Sequence, residues 1–130
     1  MKRVLITEKL DPLLAEGLEA IGFECEVKPG ISQEEVKEII HGYEGIIIAT
    51  RIRLAKEILE HASRLKFIAR AGSGMETIDV EYAKSKNIQC INSPEGNANS
   101  VGEHAVALLL AMFHIFSECD FTFLLLFQSE

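Results

Sequence analysis

A short loop, Arg70-Ala71-Gly72-Ser73-Gly74, follows an apolar run and contains the residues best suited to binding an anion. Glycine lets backbone N–H groups approach a ligand closely, and successive N–H groups in a turn can surround a carboxylate. The same spacing suits a plain turn from strand to helix in which glycine supplies a positive φ, and on spacing alone we prefer that explanation. A carboxylate site is the functional alternative.

Two arginines, Arg51 and Arg53, follow an earlier apolar run and form a second candidate anion site. A guanidinium group presents a planar fork of N–H donors that can pair with two oxygens of a phosphate. Exposed arginines without a ligand are also common at protein surfaces, where their ion pairs contribute little to stability. The two residues taken alone leave both explanations open.

The glycines Gly72 and Gly74 also match part of a dinucleotide-binding fingerprint, because they lie between a predicted strand and a predicted helix. The third glycine of that fingerprint is replaced by Thr77, and no predicted helix begins close enough to seat a pyrophosphate. We therefore exclude a dinucleotide site at this loop.

A second helix signal lies further along the chain, where Ser100 and Glu103 match the S-x-x-E capping box. The following residues, 105–113, are apolar on every face, so this helix is expected to be buried against more than one surface. His104 lies at the start of the apolar stretch, and we interpret it as a packing residue rather than an acid or base.

Three motifs in order along the chain resemble the D-isomer-specific 2-hydroxyacid dehydrogenases. They are the R-x-G-x-G loop at Arg70, the N-x-P-x-G-N turn beginning at Asn92, and the S-V-x-E-H helix start at Ser100. The resemblance covers residues 1–113. Within it, residues 1–24 and 43–74 are similar to the branch of the family that acts on D-3-phosphoglycerate.

The resemblance implies a set of site residues that composition and spacing do not supply. It implies a substrate site in which the loop holds the carboxylate and the arginines lie over the phosphate, made up of Arg51, Arg53, Ala71, Gly72, Ser73 and Gly74. It implies contacts with the nicotinamide end of NAD from Ser73, Asn97 and Val101. The catalytic His and Glu and the carboxylate-binding Arg of the family lie in sequence that this chain does not contain, so we predict no catalytic residue here, and no metal site.

These loops must be carried to the same edge of a sheet if they are to form one site. The sequence predicts a parallel sheet, which would do this. Short β-branched runs alternate with amphipathic stretches, which is typical of α/β folds. The predicted strands are residues 4–6, 23–27, 45–48, 65–68 and 88–91. We expect a flavodoxin-like, doubly wound parallel sheet of five strands in the order 2-1-3-4-5, followed by an apolar interdomain helix. The expected core of the central strands is Val4, Ile6, Ile46, Ile47, Ile48, Phe67 and Ile68.

Four crossover helices are predicted from capping residues, from proline at a first helical position and from glycine after a last one. The residues that mark their ends or face the sheet are Asp11, Pro12 and Gly22 for the first helix, Ser32, Glu35 and Gly42 for the second, Leu54, Ile58, Leu59 and Ala62 for the third, and Asp79 and Asn87 for the fourth.

Composition limits the classes of partner and the compartment. Thirteen basic residues against twenty acidic ones give a net charge of −7, which does not suit a nucleic-acid partner. The three cysteines have neither metal-ligand nor paired spacing, and we interpret them as reduced thiols. The apolar run at residues 121–127 is too short to span a membrane. We expect a cytoplasmic protein.

We expect residues 1–99 to form a substrate-binding domain, residues 100–113 an interdomain or dimerisation helix, and residues 114–130 an aberrant apolar tail, with the cofactor domain absent. The expected function is that of the N-terminal part of an NAD-dependent oxidoreductase acting on a D-2-hydroxy acid, with D-3-phosphoglycerate and serine biosynthesis as the specific expectation. The chain alone is predicted to be inactive. A non-catalytic flavodoxin-like ligand-binding or regulatory module is the alternative. The expected partners are a small 2-hydroxy or 2-oxo acid and a second copy of the chain.

Overall fold

The structure, a computed structural model, describes residues 2–10, 12–72 and 74–92. The predicted helix at residues 100–113, the tail at 114–130 and Asp11 lie outside these ranges. The elements in chain order are β1 (Lys2–Ile6), α1 (Pro12–Ala20), β2 (Phe23–Val27), α2 (Gln33–Ile39), a 3-10 helix (Ile40–Gly42), β3 (Gly45–Ile48), α3 (Lys56–Leu59), β4 (Phe67–Arg70), α4 (Val80–Ser85) and β5 (Gln89–Asn92).

The strands form one sheet in the order β2-β1-β3-β4-β5, and every neighbouring pair is parallel. The predicted fold class and strand order are confirmed. Because parallel strands all end on the same side, the residues after Ile6, Ile48 and Arg70 lie along one edge, called here the carboxyl edge. Open α/β sheets bind their ligands at this edge.

The core is divided between the two faces of the sheet, since side chains alternate along each strand. On one face, Leu5, Ile46, Ile48 and Ile68 pack with residues of α2, α3 and α4. On the other face, the core consists of Val4, Ile6, Ile47, Phe67 and Ala69 together with Phe23 and residues of α1. All seven residues predicted for the central-strand core are at most 2% exposed, so that prediction is confirmed.

The helix ends follow the predicted capping chemistry. The Ser32 hydroxyl accepts a hydrogen bond from the Glu35 N–H at 3.2 Å, and the Glu35 carboxylate accepts one from the Ser32 N–H at 2.9 Å. Gly22 has the predicted left-handed backbone after α1, with φ of 100°. Asp79 caps α4 by accepting the Tyr82 N–H at 3.1 Å.

Four predicted elements have other bounds in the structure, each for a local reason. The strand predicted at residues 4–6 begins at Lys2, because Lys2 and Arg3 pair with Phe23 and Glu24 of β2. The strand predicted at residues 65–68 is Phe67–Arg70, because the Leu65 N–H donates to the Ala62 carbonyl at 3.2 Å and closes the turn after α3. The last strand begins at Gln89, because the Ile88 N–H donates to the Ala83 carbonyl and closes α4. The third helix is only Lys56–Leu59, and Leu54 instead forms an isolated parallel bridge with Ile78.

Pairing between β3 and β4 depends on a glycine. Gly45 lies opposite Phe67 in the register, and a Cβ atom added at Gly45 would overlap the Phe67 ring. The ring extends over Gly45 and meets Phe23 edge-on, with 5.9 Å between ring centroids. Glycine at this position therefore makes room for an aromatic pair that spans the sheet face.

Three residues, Arg3 of β1, Glu26 of β2 and Tyr43 in the turn before β3, form a cluster called here the clasp. The Tyr43 hydroxyl donates to the Glu26 carboxylate, and Arg3 pairs with the same carboxylate at 2.6 Å. The hydrogen bond from Tyr43 is the largest cause of a lowered Glu26 pKa. Burial, followed by the contact with Glu26, raises the pKa of Tyr43 to about 12.

No helix within the described ranges combines the length and apolar character that a membrane span requires.

Candidate functional site

The loop that follows β3, residues 50–54, carries both predicted phosphate-binding arginines to the carboxyl edge. Ile52 and Leu54 are 1% and 0% exposed, whereas Arg51 and Arg53, which alternate with them, are exposed. This alternation anchors the loop through its apolar side chains. The two arginines consequently face solvent at the edge where a ligand is expected.

Polar contacts fix the backbone of this loop from two directions. The Glu8 carboxylate, after β1, accepts the N–H groups of Thr50 and Arg51 at 3.1 and 2.9 Å. Gln33, the first residue of α2, accepts the Arg53 N–H at 3.1 Å, and its side-chain amide donates to the Arg53 carbonyl. Neither Glu8 nor Gln33 was identified from the sequence, and no motif marks either residue.

The two arginines differ in what their side chains contact. The Arg51 guanidinium donates to the Ile31 carbonyl at 3.2 Å, which directs it toward the loop between β2 and α2. The Arg53 side chain forms no salt bridge with any residue in the described ranges. Because a guanidinium has five N–H donors, Arg51 retains donors for a ligand after this one bond.

Arg70, the last residue of β4, is buried although it is charged. It is 8% exposed, and its Nε atom is buried without a hydrogen-bond partner in the described part of the chain. An unpaired buried donor on a cation is unfavourable, and such a group gains most from an added anion. From the sequence, Arg70 was identified only as the first residue of the R-x-G-x-G motif. The available signal was a charged residue ending an otherwise apolar strand, FIAR.

The Arg70 guanidinium lies directly against Gly72. A Cβ atom at Gly72 would come within 2.6 Å of Arg70 Nη1. Gly72 does not have a positive φ, whereas Gly22 and Gly30 do, at 100° and 81°. The explanation of this glycine by a left-handed turn is therefore wrong, and the close approach of a buried arginine accounts for it instead.

The first amides of the predicted carboxylate loop are engaged by the backbone in this structure. The Ala71 N–H donates to the Ile48 carbonyl at 2.8 Å, and the Gly72 N–H donates to the Arg70 carbonyl at 2.9 Å. Contact between these residues and a substrate stays a prediction. The Ser73, Asn97 and Val101 predicted to contact NAD lie outside the described ranges.

The far end of the loop is acidic. A Cβ atom at Gly74 would overlap the Glu76 carboxylate, which therefore lies against this glycine. An anion is repelled by a carboxylate and attracted by a guanidinium. Within the described loop, the charge distribution thus favours an anion at the Arg70 end over the Glu76 end.

Backbone bonds join the loops after β3 and β4 into one unit. The Leu54 N–H donates to the Thr77 carbonyl at 2.8 Å, and the Asp79 N–H donates to the Leu54 carbonyl at 2.9 Å. After Gly74 the chain continues through this bridge, and α4 begins only at Val80, with Asp79 as its cap. The loop accordingly does not fit the pyrophosphate of a dinucleotide, which needs a helix beginning directly at the glycines.

The two cysteines in the described ranges lack the features of nucleophiles. Burial, with a smaller contribution from Glu19, raises the pKa of Cys25 to about 11. Burial also raises the pKa of Cys90. Because the thiolate is the reactive form and both shifts disfavour it, neither thiol is suited to covalent chemistry at neutral pH.

Comparison with known proteins gives a consistent set of relatives. Residues 4–125 match the family model described as D-isomer specific 2-hydroxyacid dehydrogenase, catalytic domain, so the match continues past residue 113. D-3-phosphoglycerate dehydrogenase of Archaeoglobus fulgidus is 35% identical over 118 residues, covering 91% of this chain and 22% of that protein.

Two solved structures have a similar fold. The TT0316 protein from Thermus thermophilus has a TM-score of 0.68 and 29% identity, over 89% of this chain and 38% of that one. The cofactor (NAD+) bound 3-phosphoglycerate dehydrogenase of Entamoeba histolytica has a TM-score of 0.67 and 25% identity, over 87% and 39%. The chain spans about a fifth of the length of the curated relatives it matches.

Proposed function

The chain belongs to the D-isomer specific 2-hydroxyacid dehydrogenases, and on that premise we propose that it supplies the substrate-binding part of an NAD-dependent oxidoreductase. The proposed reaction removes a hydride from carbon 2 of a D-2-hydroxy acid and a proton from its hydroxyl, which gives the 2-oxo acid. Such a reaction needs a substrate site, a nicotinamide and an acid–base group. The described residues are proposed to supply the first of these.

The observation that carries the proposal is the buried Arg70 guanidinium at the carboxyl edge. Its Nε has no partner in the described part of the chain, and the glycine beside it lets the guanidinium lie against the loop. A substrate carboxylate on the loop side of the guanidinium would accept charge-assisted hydrogen bonds from its terminal N–H groups and balance the buried charge. We propose that it binds at the loop Ala71, Gly72, Ser73 and Gly74, on the side of Arg70.

D-3-phosphoglycerate is the proposed substrate, because it carries a carboxylate and a phosphate and the edge offers two groups of cations. Arg51 and Arg53 are exposed on a fixed loop, where their guanidinium groups can bind the phosphate. The curated relatives named D-3-phosphoglycerate dehydrogenase support this choice. Oxidation of this compound would place the protein in serine biosynthesis.

NAD is the proposed cofactor, and the relative from Entamoeba histolytica was solved with NAD+ bound. When bound, NAD supplies the hydride acceptor. The described loop does not fit the pyrophosphate, so the proposed contacts from this chain are limited to the nicotinamide end, through Ser73, Asn97 and Val101. We propose that the 130-residue chain alone does not catalyse the reaction, since no dinucleotide fingerprint or catalytic His–Glu pair can be identified in it.

Calorimetric titration of the 130-residue protein tests the substrate assignment. We expect D-3-phosphoglycerate to bind at least about tenfold more tightly than D-glycerate, which lacks the phosphate, because charge-assisted contacts to a phosphate exceed those to a hydroxyl. The double variant Arg51→Ala/Arg53→Ala should abolish the difference. Equal affinities for the two acids would contradict the phosphate assignment, and NADH formation by this chain would contradict its proposed inactivity.

A further inference from the structure

We propose that Glu8 is a positioning residue for anion recognition, holding the backbone at Thr50 and Arg51 so that the Arg51 guanidinium is presented at the carboxyl edge. This inference rests on the proposed function, because it assumes that the loop at residues 50–54 contacts the anionic group of a substrate. Glu8 itself is not proposed to contact the substrate.

The Glu8 carboxylate contacts backbone N–H groups rather than charged side chains. One carboxylate oxygen, Oε1, accepts both the Thr50 and Arg51 N–H groups, at 3.1 and 2.9 Å. Within the described ranges, Glu8 forms no salt bridge with Arg51 or Arg53. The carboxylate therefore orders the chain that carries a cation without neutralising that cation.

The loop needs such support because the backbone of its first half has no other described hydrogen bond, although the Arg51 side chain donates to the Ile31 carbonyl. Thr50 and Arg51 are exposed, and their N–H groups are bonded to Glu8 alone among the described residues. The second half is held separately, by the buried side chain of Ile52 and by the paired contacts of Gln33 with Arg53. Loss of Glu8 would free one half of the loop, and ordering that backbone again on binding would cost conformational entropy.

If Glu8 acted only through its negative charge, removing it would change the affinity for an anion in the opposite direction. A negative charge near an anion site weakens anion binding, so removing it should tighten binding. A positioning role predicts that the same removal weakens binding. Charge and reach can also be separated: Glu8→Gln removes the charge and keeps an acceptor oxygen, whereas Glu8→Asp keeps the charge and shortens the side chain by one methylene.

The experiment compares these variants in the 130-residue chain by calorimetric titration with D-3-phosphoglycerate and with inorganic phosphate. We expect Glu8→Ala and Glu8→Asp to bind about tenfold more weakly than the original protein, and Glu8→Gln to remain within about threefold of it. Glu60→Ala, which removes an exposed acid after α3, is the matched control and should not change affinity. Urea unfolding identifies the variants that fold, and Glu8→Asp carries the test if Glu8→Ala does not.

The outcomes separate the two proposals. Unchanged or tighter binding by Glu8→Ala or Glu8→Asp would overturn the positioning role and leave the proposed function standing. Binding of phosphate but not D-3-phosphoglycerate would overturn the substrate assignment, while the Glu8 comparison would still be decided with phosphate. Binding of neither probe by the original protein would overturn both.

Discussion

Arg70 combines features that are hard to reconcile in a residue kept only for folding. Its charge is buried in the last position of a central strand, one donor has no partner in the described structure, and a neighbouring glycine is needed to make room for it. A buried cation with an unpaired donor lowers stability, and a local cost of this kind is typical of residues that bind a ligand. We therefore expect Arg70 to lower the stability of the free protein and to increase its affinity for an anionic ligand.

Replacing Arg70 with Met tests this exchange. Because Met fills much of the space without an unpaired charge, we expect the free energy of unfolding in urea to rise by about 1 kcal/mol. Binding of D-3-phosphoglycerate should weaken by at least about tenfold, since a charge-assisted contact is removed. Arg64→Met is the control, because Arg64 is exposed and pairs with Glu44 at 3.6 Å. A less stable Arg70→Met with unchanged affinity would contradict the assignment.

The positions of the candidate residues could be predicted from strand ends, whereas their roles in binding were implied by the family resemblance and stay a prediction. Arg51, Arg53 and Gly72 follow apolar runs in the sequence, and the parallel sheet carries them to its carboxyl edge. Glu8 could not be found in the same way. Its contact with Thr50 and Arg51 joins residues more than forty positions apart, and such a contact exists only after the sheet has formed.

At the scale of elements, the close contact between β3 and β4 sets a strict size limit at Gly45. Gly45→Ala should lower the free energy of unfolding by about 2 kcal/mol or more, because the buried Phe67 ring has no free space to move into. Gly42→Ala is the matched control, since a Cβ there would meet only Arg3 Nη1, at 3.4 Å. Urea unfolding measures both variants. Partial recovery by Gly45→Ala/Phe67→Leu would confirm the cause, and equal stabilities of the two single variants would refute it.

The clasp of Arg3, Glu26 and Tyr43 should make part of the free energy of unfolding depend on pH. The folded-state pKa of Glu26 lies below its ordinary value of 4.5, mainly because of the Tyr43 hydroxyl. A depressed carboxyl pKa contributes stability above the unfolded pKa, and this contribution is lost as the pH falls through the folded pKa. Tyr43→Phe should therefore raise the Glu26 pKa, and its destabilisation should be greater at pH 7 than in acid below the folded pKa.

Two measurements check this dependence. An NMR titration of the Glu26 carboxyl carbon reports the pKa directly, and urea unfolding at neutral and acidic pH reports the stability. Tyr82→Phe is a suitable control, because Tyr82 lies near Lys56 and Lys86 and not near Glu26. An unchanged Glu26 pKa in Tyr43→Phe would show that the hydroxyl is not the cause of the shift.

Element positions were predicted well where a pattern and an end signal agreed. The strands at 23–27 and 45–48 have the predicted bounds, and the capping box at Ser32 begins α2. The strand at 65–68 was misplaced by two residues, because Leu65 is as apolar as the strand residues that follow. The hydrogen bond from the Leu65 N–H to the Ala62 carbonyl places Leu65 in the preceding turn, and the residue types alone do not predict this bond.

At the scale of the whole molecule, the alternation of strands and helices predicted the parallel sheet, and the expected flavodoxin-like fold supplied its strand order. Three of the four crossovers join neighbouring strands, whereas β2 and β3 lie on opposite sides of β1. The predicted burial of the apolar segment at residues 105–113 stays a prediction, because the segment lies outside the described ranges. Its sequence is apolar on every helical face, and large exposed apolar surfaces favour association. We propose that the chain self-associates through residues 100–113.

Sedimentation velocity on two chain lengths tests this proposal. The 130-residue protein should sediment as a dimer or larger species, whereas a chain ending at Asn99 should lose most of that association, because it lacks the apolar segment. Leu109→Glu in the longer chain should have the same effect through like-charge repulsion and loss of apolar contact. A longer chain that remains a monomer at all concentrations would refute the proposal.

The sheet order also determines how the chain can fold during synthesis. β1 is made first but lies inside the sheet, with β2 on one side and β3 on the other, where Val4 pairs with Gly45. Until β3 has left the ribosome, one edge of an apolar strand has no native partner, and unpaired edges of this kind invite pairing with other chains. The interval between the synthesis of β1 and that of β3 is therefore the one in which this edge is open to pairing with other chains.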